Sequence, residues 1–208
     1  MRFLLIRHGE TSWNATGRSQ GQTDIPLSSR GVEQAGALAE RLSGEVIAEV
    51  VSSDLKRACA TADAIAGAHA GVARSHDERL REMSLGDWEG LRTEEIVERF
   101  AREREAWQRA PETFRMPNGE SFIELNQRVT AAIEELVSRH EPGSTVVVVS
   151  HGYALLSYLV GMLGMPTVKF RSLWLDPTGL CEVRVEDSHY TLRRFNDTSH
   201  LSPELSVP

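Results

Sequence analysis

The chain contains few cysteines, no excess of basic residues and no long apolar run. Its 208 residues include only Cys59 and Cys181, at unrelated positions, so we expect neither a disulfide framework nor a cysteine-ligated metal site. The formal net charge of −7 argues against a nucleic-acid partner, which would require a basic surface. No stretch reaches membrane-spanning length, and the N-terminus lacks a signal-peptide pattern. These absences predict a cytoplasmic protein with no membrane partner.

The patterns that carry metal and nucleotide chemistry are also absent. There is no His-Glu-x-x-His sequence and no Walker-type glycine loop, and we therefore expect no metal and no cofactor. A hydrophobic content of 40% and a charged content of 25% are typical of a globular protein. The length fits one domain spanning residues 1–208. Within it, the polar residues 197–208 are expected to form a partly disordered tail.

Apolar runs and helical periodicity alternate along the chain. The runs predict strands at about 2–6, 48–52, 72–74, 146–150, 173–175, 181–185 and 190–195. Helices are expected from Ser28 or Ser29, from an N-cap at Asp54 to Ala66, and from Tyr153 to Leu163. The predicted fold is a three-layer α/β/α sandwich around a mostly parallel sheet. A helical insertion of about residues 91–140 is expected over the edge of the sheet that carries the candidate site.

Three of these strand ends carry residues suited to phosphate chemistry. The first apolar run ends in Arg7-His8, and a run of four valines ends in Ser150-His151. Between them, a third strand is followed by a helix with Arg57 in its first turn. The carboxyl ends of parallel strands meet at one edge of an open α/β sheet, where ligands bind. Arginine offers a forked donor for phosphate, and histidine is both a base and a nucleophile. The sequence thus predicts chemistry on a phosphate group at this edge.

These residues lie in a series of segments that resembles the histidine phosphatase superfamily, also called phosphoglycerate mutase-like. The segments follow in the family's order over nearly the whole chain, at residues 5–11 with Asn14, 17–27, 52–62, 80–90 and 150–152. The first segment is the most specific, and the order of all five strengthens the others. The resemblance implies the α/β fold described above and phosphoryl chemistry at its edge.

The resemblance also implies a role for each candidate residue. His8 is the expected nucleophile, which takes the phosphoryl group as phosphohistidine, and Glu82 is the expected general acid. Since nearby guanidiniums disfavour protonation of an imidazole, we expect Arg7 and Arg57 to lower the pKa of His8. The residues expected to bind phosphate or the leaving group are Arg7, Asn14, Gln20, Gly21, Arg57, His151 and Gly152, of which Arg7, Arg57 and His151 are also expected to act in catalysis.

Some assignments stay open at this point. A purely structural role of Gln20 in its loop is equally compatible with the sequence. Glu10 competes with Glu82 as the acid because it lies beside His8 in the chain. The role of Tyr153 is undetermined. Four aromatic residues in or near the insertion, Trp88, Phe100, Trp107 and Phe114, fit either the wall of a pocket or the core.

The sequence favours hydrolysis over phosphoryl transfer between phosphoglycerates. Mutases of the family carry a Tyr-Gly segment after the acid, Asn-Ser after the second His-Gly, and an adjacent arginine pair in the insertion. Here residues 83–90, Tyr153-Ala154 and residues 109–118 depart from these three features. We expect a phosphatase for a small phosphorylated metabolite. A cofactor-dependent phosphoglycerate mutase and a non-catalytic phospholigand-binding module are the alternatives. The substrate (a sugar phosphate, a phosphoglycerate, α-ribazole phosphate or a broad range of esters) and the oligomeric state are left open.

Overall fold

A computed structural model describes residues 1–206 and contains one six-stranded sheet. The strands are β1 (Arg2–Arg7), β2 (Glu49–Ser52), β3 (Ala73–His76), β4 (Thr145–Ser150), β5 (Leu180–Glu186) and β6 (His189–Asp197). They lie in the order β3-β2-β4-β1-β5-β6. The pairings among β1 to β4 are parallel, whereas β5 and β6 are antiparallel. The carboxyl ends of β1, β2 and β4 therefore share one edge. Residues 207–208 of the predicted tail lie outside the described residues.

Helices connect these strands. They are α1 (Ser12–Ala15), α2 (Ser29–Leu42), α3 (Lys56–Gly67), α4 (Thr93–Arg99), α5 (Ala101–Arg109), α6 (Phe122–Arg139) and α7 (Gly152–Met162). Short 3-10 turns occupy Glu78–Leu80, Gly86–Trp88 and Thr167–Ser172. Among residues 1–206, no helix combines the length and apolar character needed to cross a bilayer.

The central strand β1 explains the layered arrangement. Phe3 and Leu5 pack on one face of the sheet with residues of α6 and α7, and Leu4 and Ile6 pack on the other face with α2 and α3. All four side chains are fully buried, as expected for a strand covered on both sides. The three-layer α/β/α fold with a mostly parallel sheet is thereby confirmed.

The predicted insertion at about residues 91–140 contains one helix that packs in the core and two that lie over the edge of the sheet. The helix α6 buries Leu125, Val129 and Ile133 in the core beside the sheet. The helices α4 and α5, which break at Phe100, bury only Ile96 and Trp107, respectively. These two helices lie over the carboxyl edge of the sheet, where both buried residues line a cavity.

Two local predictions are wrong, the N-cap at Asp54 and the strand at residues 173–175. In both cases a side chain distant in the sequence binds the group concerned. The helix α3 begins at Lys56 rather than Asp54, since the Asp54 carboxylate pairs with Arg81 (Nε–Oδ1 2.8 Å). The backbone N–H of Lys56 is instead bound by Asp24, with Oδ1 at 2.8 Å, which satisfies an otherwise unpaired helix donor. Residues 173–175 form no strand, because β1 already pairs on both sides and the Leu175 carbonyl accepts a hydrogen bond from the Arg7 guanidinium.

Candidate active site

His8 lies immediately after β1, and its backbone N–H donates to Ser150 at the end of β4 (2.9 Å). Its Nδ1 is 2.7 Å from the carbonyl of Gly9. Since a carbonyl only accepts, Nδ1 carries the proton in the neutral ring and Nε2 keeps a free lone pair. The side chain is 2% exposed. Burial, assisted by Arg57 and Arg7, holds its pKa well below the usual value. The predicted lowering is found, although burial is its largest cause.

Arg57 and His151 meet beside this imidazole. The rings of His8 and His151 are 5.0 Å apart between centroids, and Arg57 Nε donates to His151 Nδ1 (3.2 Å). Neutral His151 therefore carries its proton on Nε2, which is buried without a hydrogen-bond partner among residues 1–206. Burial lowers the pKa of His151 well below the usual value, so it remains a neutral donor.

Backbone carbonyls fix the Arg57 guanidinium in position. Its Nη1 donates to Thr23 (2.8 Å) and its Nη2 to Gly21 (2.7 Å). Burial lowers the pKa of Arg57 to about 10, so the fully buried side chain still carries its charge at neutral pH. Gly21 has φ +53, and a Cβ there would lie 2.1 Å from the Glu89 carboxylate. The sequence assigned Gly21 to phosphate contact, and the structure shows that it also anchors Arg57.

Arg7 completes the cationic group. Its guanidinium donates to the Leu175 carbonyl and lies over the ring of Trp174, with Cζ 5.7 Å from the centroid. Its Nε is buried and has no acceptor within the described part of the chain. Buried donors are normally paired. Two unpaired donors beside one imidazole, Arg7 Nε and His151 Nε2, make this end of the cavity suited to an oxyanion.

Glu82 lies at the N-terminus of α7, close to Arg7. Its Oε1 accepts from the backbone N–H groups of Met83 (2.8 Å) and Ala154 (3.1 Å), and its Oε2 accepts from Tyr153 (3.2 Å). A Cβ built on Gly152 would lie 3.7 Å from both Glu82 Oε2 and Arg7 Nε. The carboxylate is thus oriented and lines the same cavity as His8.

The remaining predicted polar residues divide into two groups. Asn14 and Gln20 line the cavity, and their amide oxygens accept from Thr11 N (3.0 Å) and Thr11 Oγ1 (2.9 Å). Their amide NH2 groups are therefore free for other acceptors. Glu10 instead accepts from Ser28 Oγ (2.8 Å) at the start of α2. The structure brings Glu82, and not Glu10, into the cavity with His8.

The cavity has a volume of about 480 Å³ and extends from His8 towards α5. Sequence reasoning missed most of the polar and aromatic residues of its outer part, which are Arg104, Gln108, Phe170, Arg171 and Trp174. Tyr153, whose role the sequence leaves open, lines this part as well. They come from α5, α7 and residues 167–174, and no local spacing connects these segments. Trp88 and Trp107 are both buried and cavity-lining, so they serve the wall and the core. Within residues 1–206, no three His, Cys, Asp or Glu side chains are grouped to hold a metal ion.

Comparison with sequence families gives a match over nearly the whole chain. A family model described as histidine phosphatase superfamily (branch 1) matches residues 3–198. Phosphoserine phosphatase 1 of Hydrogenobacter thermophilus is 34% identical over 201 residues, covering 97% of this chain and 94% of that protein. A Yersinia pestis protein named as a probable phosphoglycerate mutase is 36% identical over 206 residues, covering 97% and 95%. The relatives thus include one named as a phosphatase and one named as a probable phosphoglycerate mutase, and the sequence alone leaves both activities as candidates.

Solved structures share the fold. Bacillus stearothermophilus YhfR superposes with a TM-score of 0.90 at 33% identity, covering 96% of this chain and 98% of that one. A mutant phosphoserine phosphatase of Entamoeba histolytica, in complex with phosphoserine, gives a TM-score of 0.86 at 31% identity, covering 97% and 99%. The shared fold therefore covers nearly the whole chain in both cases.

Proposed function

The chain belongs to the histidine phosphatase superfamily, and we propose that it is a phosphoric monoester hydrolase that works through a phosphohistidine on His8. The observation that carries this proposal is the buried imidazole with a free Nε2 beside Arg7, Arg57 and His151. Relatives and structural neighbours named as phosphatases support it. A module that only binds phosphate would need the cations but neither a nucleophile nor an acid.

In the first step, the ester phosphate binds against Arg7, Arg57 and the Nε2–H of His151. These groups neutralise the non-bridging oxygens, where phosphoryl transfer gains most of its rate. His8 Nε2 attacks phosphorus, forming the N–P bond, while the P–O bond to the alcohol breaks. The leaving oxygen takes its proton from Glu82. The hydrogen bond from His8 Nδ1 to Gly9 keeps the ring aligned and stabilises its developing positive charge.

In the second step, water attacks the phosphohistidine. Glu82, now a carboxylate, accepts a proton from that water as the O–P bond forms and the N–P bond breaks. Inorganic phosphate leaves, and His8 returns to its neutral form with Nε2 free. Asn14 and Gln20 are assigned to the phosphate or the leaving group, because both residues line the cavity and Thr11 holds their amide oxygens, which leaves the NH2 groups as donors.

The test of this proposal is His8→Ala. We expect the variant to lose phosphate release from p-nitrophenyl phosphate and from a panel of phosphorylated metabolites. Vanadate binding should persist, because Arg7, Arg57 and His151 remain. Rapid quenching of the wild type with a labelled substrate should give an acid-labile, base-stable label that His8→Ala lacks.

His69→Ala is the matched control, since the His69 imidazole contacts the carbonyls of Ile65 and Leu42 and is not among the residues that line the cavity. It should keep wild-type turnover and labelling. Substantial turnover by His8→Ala would overturn the covalent mechanism. Ligand binding without turnover of any ester by the wild type would support the binding-module alternative.

A further inference from the structure

Two arginines in the outer cavity have no anionic partner. Of the arginines that line the cavity, Arg18 pairs with Glu95 (3.6 Å), and Arg7 and Arg57 belong to the phosphate end. Arg104 and Arg171 form no ion pair within 4.0 Å with a carboxylate among residues 1–206. The chain as a whole is acidic, so carboxylates are plentiful elsewhere. Arg104 and Arg171 thus place two guanidiniums without a carboxylate partner in the same cavity as the phosphate end.

Backbone carbonyls hold Arg171 in place. Its Nη2 donates to Trp107 (2.7 Å) and its Nη1 to Gln108 (3.1 Å). Its Cζ lies 5.3 Å from the ring of Trp107 and 5.5 Å from that of Phe170. These contacts leave the Nε–H and further Nη protons without a protein acceptor in the described chain. A guanidinium fixed in this way needs little reorganisation to bind an anion.

Arg104 lies one turn before Gln108 on α5. In the orientation of the Gln108 amide that suits the hydrogen bonding of both its oxygen and its nitrogen, the oxygen accepts from Arg104 Nη1 and Nη2 at 3.2 Å each. Gln108 thus connects the two arginines, through its side chain to Arg104 and its carbonyl to Arg171. Burial and the positive charge of Arg104 lower the pKa of Arg171. The two cations repel each other, and an anion between them would relieve that repulsion.

An aromatic wall links this pair to the phosphate end. The Tyr153 ring lies 5.6 Å from Phe170 and 6.4 Å from Trp107 between centroids, and both of those rings contact Arg171. The backbone of Tyr153 binds Glu82. A ligand that lies along these rings would reach from the reacting phosphate to the guanidinium pair.

We propose that Arg104 and Arg171 form a second anion-binding subsite that selects phosphate monoesters bearing a carboxylate or a second phosphate away from the ester. The proposal rests on the proposed hydrolase function, because it assumes that the reacting phosphate occupies the His8 end. Charge-assisted hydrogen bonds from two forked guanidiniums, beside apolar rings that exclude water, would bind such a group. Esters without the second anion would bind only through phosphate.

The test uses matched substrates that differ by one charge. Alkyl phosphates of increasing chain length are compared with the ω-carboxyalkyl and bisphosphate analogues of the same length. We expect the wild type to prefer the doubly anionic ester at one or more lengths. Arg104→Gln and Arg171→Gln should each lower kcat/KM for that ester by about tenfold, the order expected for one charge-assisted hydrogen bond. They should change kcat/KM for the alkyl phosphate by less than about twofold. The second anion is identified by the analogue, carboxylate or bisphosphate, whose kcat/KM exceeds that of the alkyl phosphate by the larger factor.

Arg102→Gln is the control, because Arg102 is an exposed arginine on the same helix. It should leave the preference unchanged, which would separate local binding from a general charge effect. Equal kcat/KM for charged and uncharged esters at every length would overturn the subsite. Equal losses on both substrate types in the Arg104 and Arg171 variants would also overturn it.

A binding measurement separates this proposal from the catalytic one. His8→Ala is titrated with the same ester pairs, following the fluorescence of the tryptophans that line the cavity. Tighter binding of the doubly anionic ester, weakened about tenfold by adding Arg171→Gln, would support the subsite even if the wild type hydrolysed nothing. Hydrolysis of alkyl phosphates with no binding preference would retain the hydrolase and reject the subsite.

Discussion

The hydrogen bond between His8 Nδ1 and the Gly9 carbonyl determines which nitrogen of the candidate nucleophile is free. The opposite arrangement holds at His151, where Arg57 occupies Nδ1 and leaves the Nε2–H unpaired. One histidine thus presents a lone pair and the other a proton. Residue identities predict an imidazole pair, but only the contacts of each ring fix these complementary forms.

Glu82→Gln should have an effect that depends on the leaving group. A poor leaving group such as an alkoxide needs the proton, and general acid catalysis contributes on the order of 10²–10⁴-fold. Nitrophenolate leaves without needing a proton, so the rate at which p-nitrophenyl phosphate phosphorylates His8 should fall much less. Single-turnover formation of phosphohistidine is the proper measurement, because it excludes the hydrolysis step. Equal losses with an alkyl ester and p-nitrophenyl phosphate would assign the acid to another group.

Glu10→Gln is the matched control for that experiment. Its carboxylate binds Ser28 Oγ at the start of α2 rather than the cavity. We therefore expect no leaving-group dependence in this variant, and a lower stability through loss of that contact.

The individual residues show where sequence reasoning succeeds. Arg7, His8 and His151 lie at or just after a strand end, and Arg57 lies in the first turn of the helix that follows β2. Parallel strands bring such residues to one edge. Arg104 and Arg171 come from helical segments whose positions over the sheet depend on aromatic packing. No periodicity predicts that packing, so their convergence on one cavity was not foreseen.

At the scale of elements, the chain after β6 supports the loop that carries the candidate nucleophile. His200 Nδ1 faces Arg41 Nη1 (3.3 Å), a donor, so its Nε2–H donates to Thr178 Oγ1 (3.0 Å). The backbone N–H of Thr178 in turn donates to the carbonyl of Arg7 (3.0 Å). Arg41 also pairs with Asp197. Part of the predicted tail is thus connected to the Arg7-His8 backbone.

His200→Ala should lower both stability and turnover. Removing a half-buried partner of Thr178 and Arg41 should cost about 1–3 kcal/mol of unfolding free energy, measured by urea denaturation. We expect a several-fold lower kcat with little change in KM, because the variant disturbs the alignment of His8 rather than a substrate contact. His189→Ala, at the exposed first residue of β6, should change neither quantity. A change in stability without a change in kcat would exclude a positioning role.

The wrong strand and the wrong helix cap have a common cause. Both predictions used only local sequence, and both were overridden by side chains distant in the chain. Arg81 pairs with the Asp54 carboxylate, and Arg7 donates a hydrogen bond to the Leu175 carbonyl. The long, strongly apolar strands such as β1 and β4 were predicted correctly because burial on both faces leaves a continuous signal.

Across the whole molecule, buried neutral histidines should make the fold sensitive to mild acid. Burial lowers the pKa of His8 and His151 well below the usual value, and that of His200 to about 4. In the unfolded chain each should titrate near 6.5. Below that pH the unfolded state binds more protons than the folded state, so unfolding becomes easier as the pH falls. Well above pH 6.5 these three histidines are neutral in both states, so they contribute no pH dependence to the unfolding free energy.

We therefore expect the unfolding free energy to decrease between about pH 6.5 and pH 5. Each fully buried histidine should contribute up to about 1.4 kcal/mol per pH unit, and half-buried His200 less. Urea denaturation at several pH values measures the slope. His8→Asn should reduce it, because this variant removes one of the two fully buried imidazoles. A slope that is the same in wild type and His8→Asn would mean that His8 titrates normally in the folded protein.

The whole cavity also bears on whether water or a second phosphoglycerate accepts the phosphoryl group. The adjacent arginine pair of the mutases is missing from residues 109–118, and the structure instead offers Arg104 and Arg171. Arg171 is fixed by two carbonyls and two rings. One fixed pair can hold a second anion in a single position, whereas isomerisation requires a bisphosphorylated intermediate to be retained and turned around.

We therefore expect hydrolysis to exceed isomerisation. The protein is incubated with 3-phosphoglycerate and a trace of 2,3-bisphosphoglycerate, and 2-phosphoglycerate and free phosphate are followed together. Phosphate should accumulate from this or another ester faster than 2-phosphoglycerate forms. Isomerisation much faster than phosphate release from every ester tested would make this chain a mutase, as the name of its Yersinia relative suggests for that protein. The decisive property is the lifetime of the product alcohol beside phosphohistidine, since water replaces that alcohol only after it leaves, whereas isomerisation requires the phosphoryl group to pass from His8 to a phosphoglycerate held in the cavity.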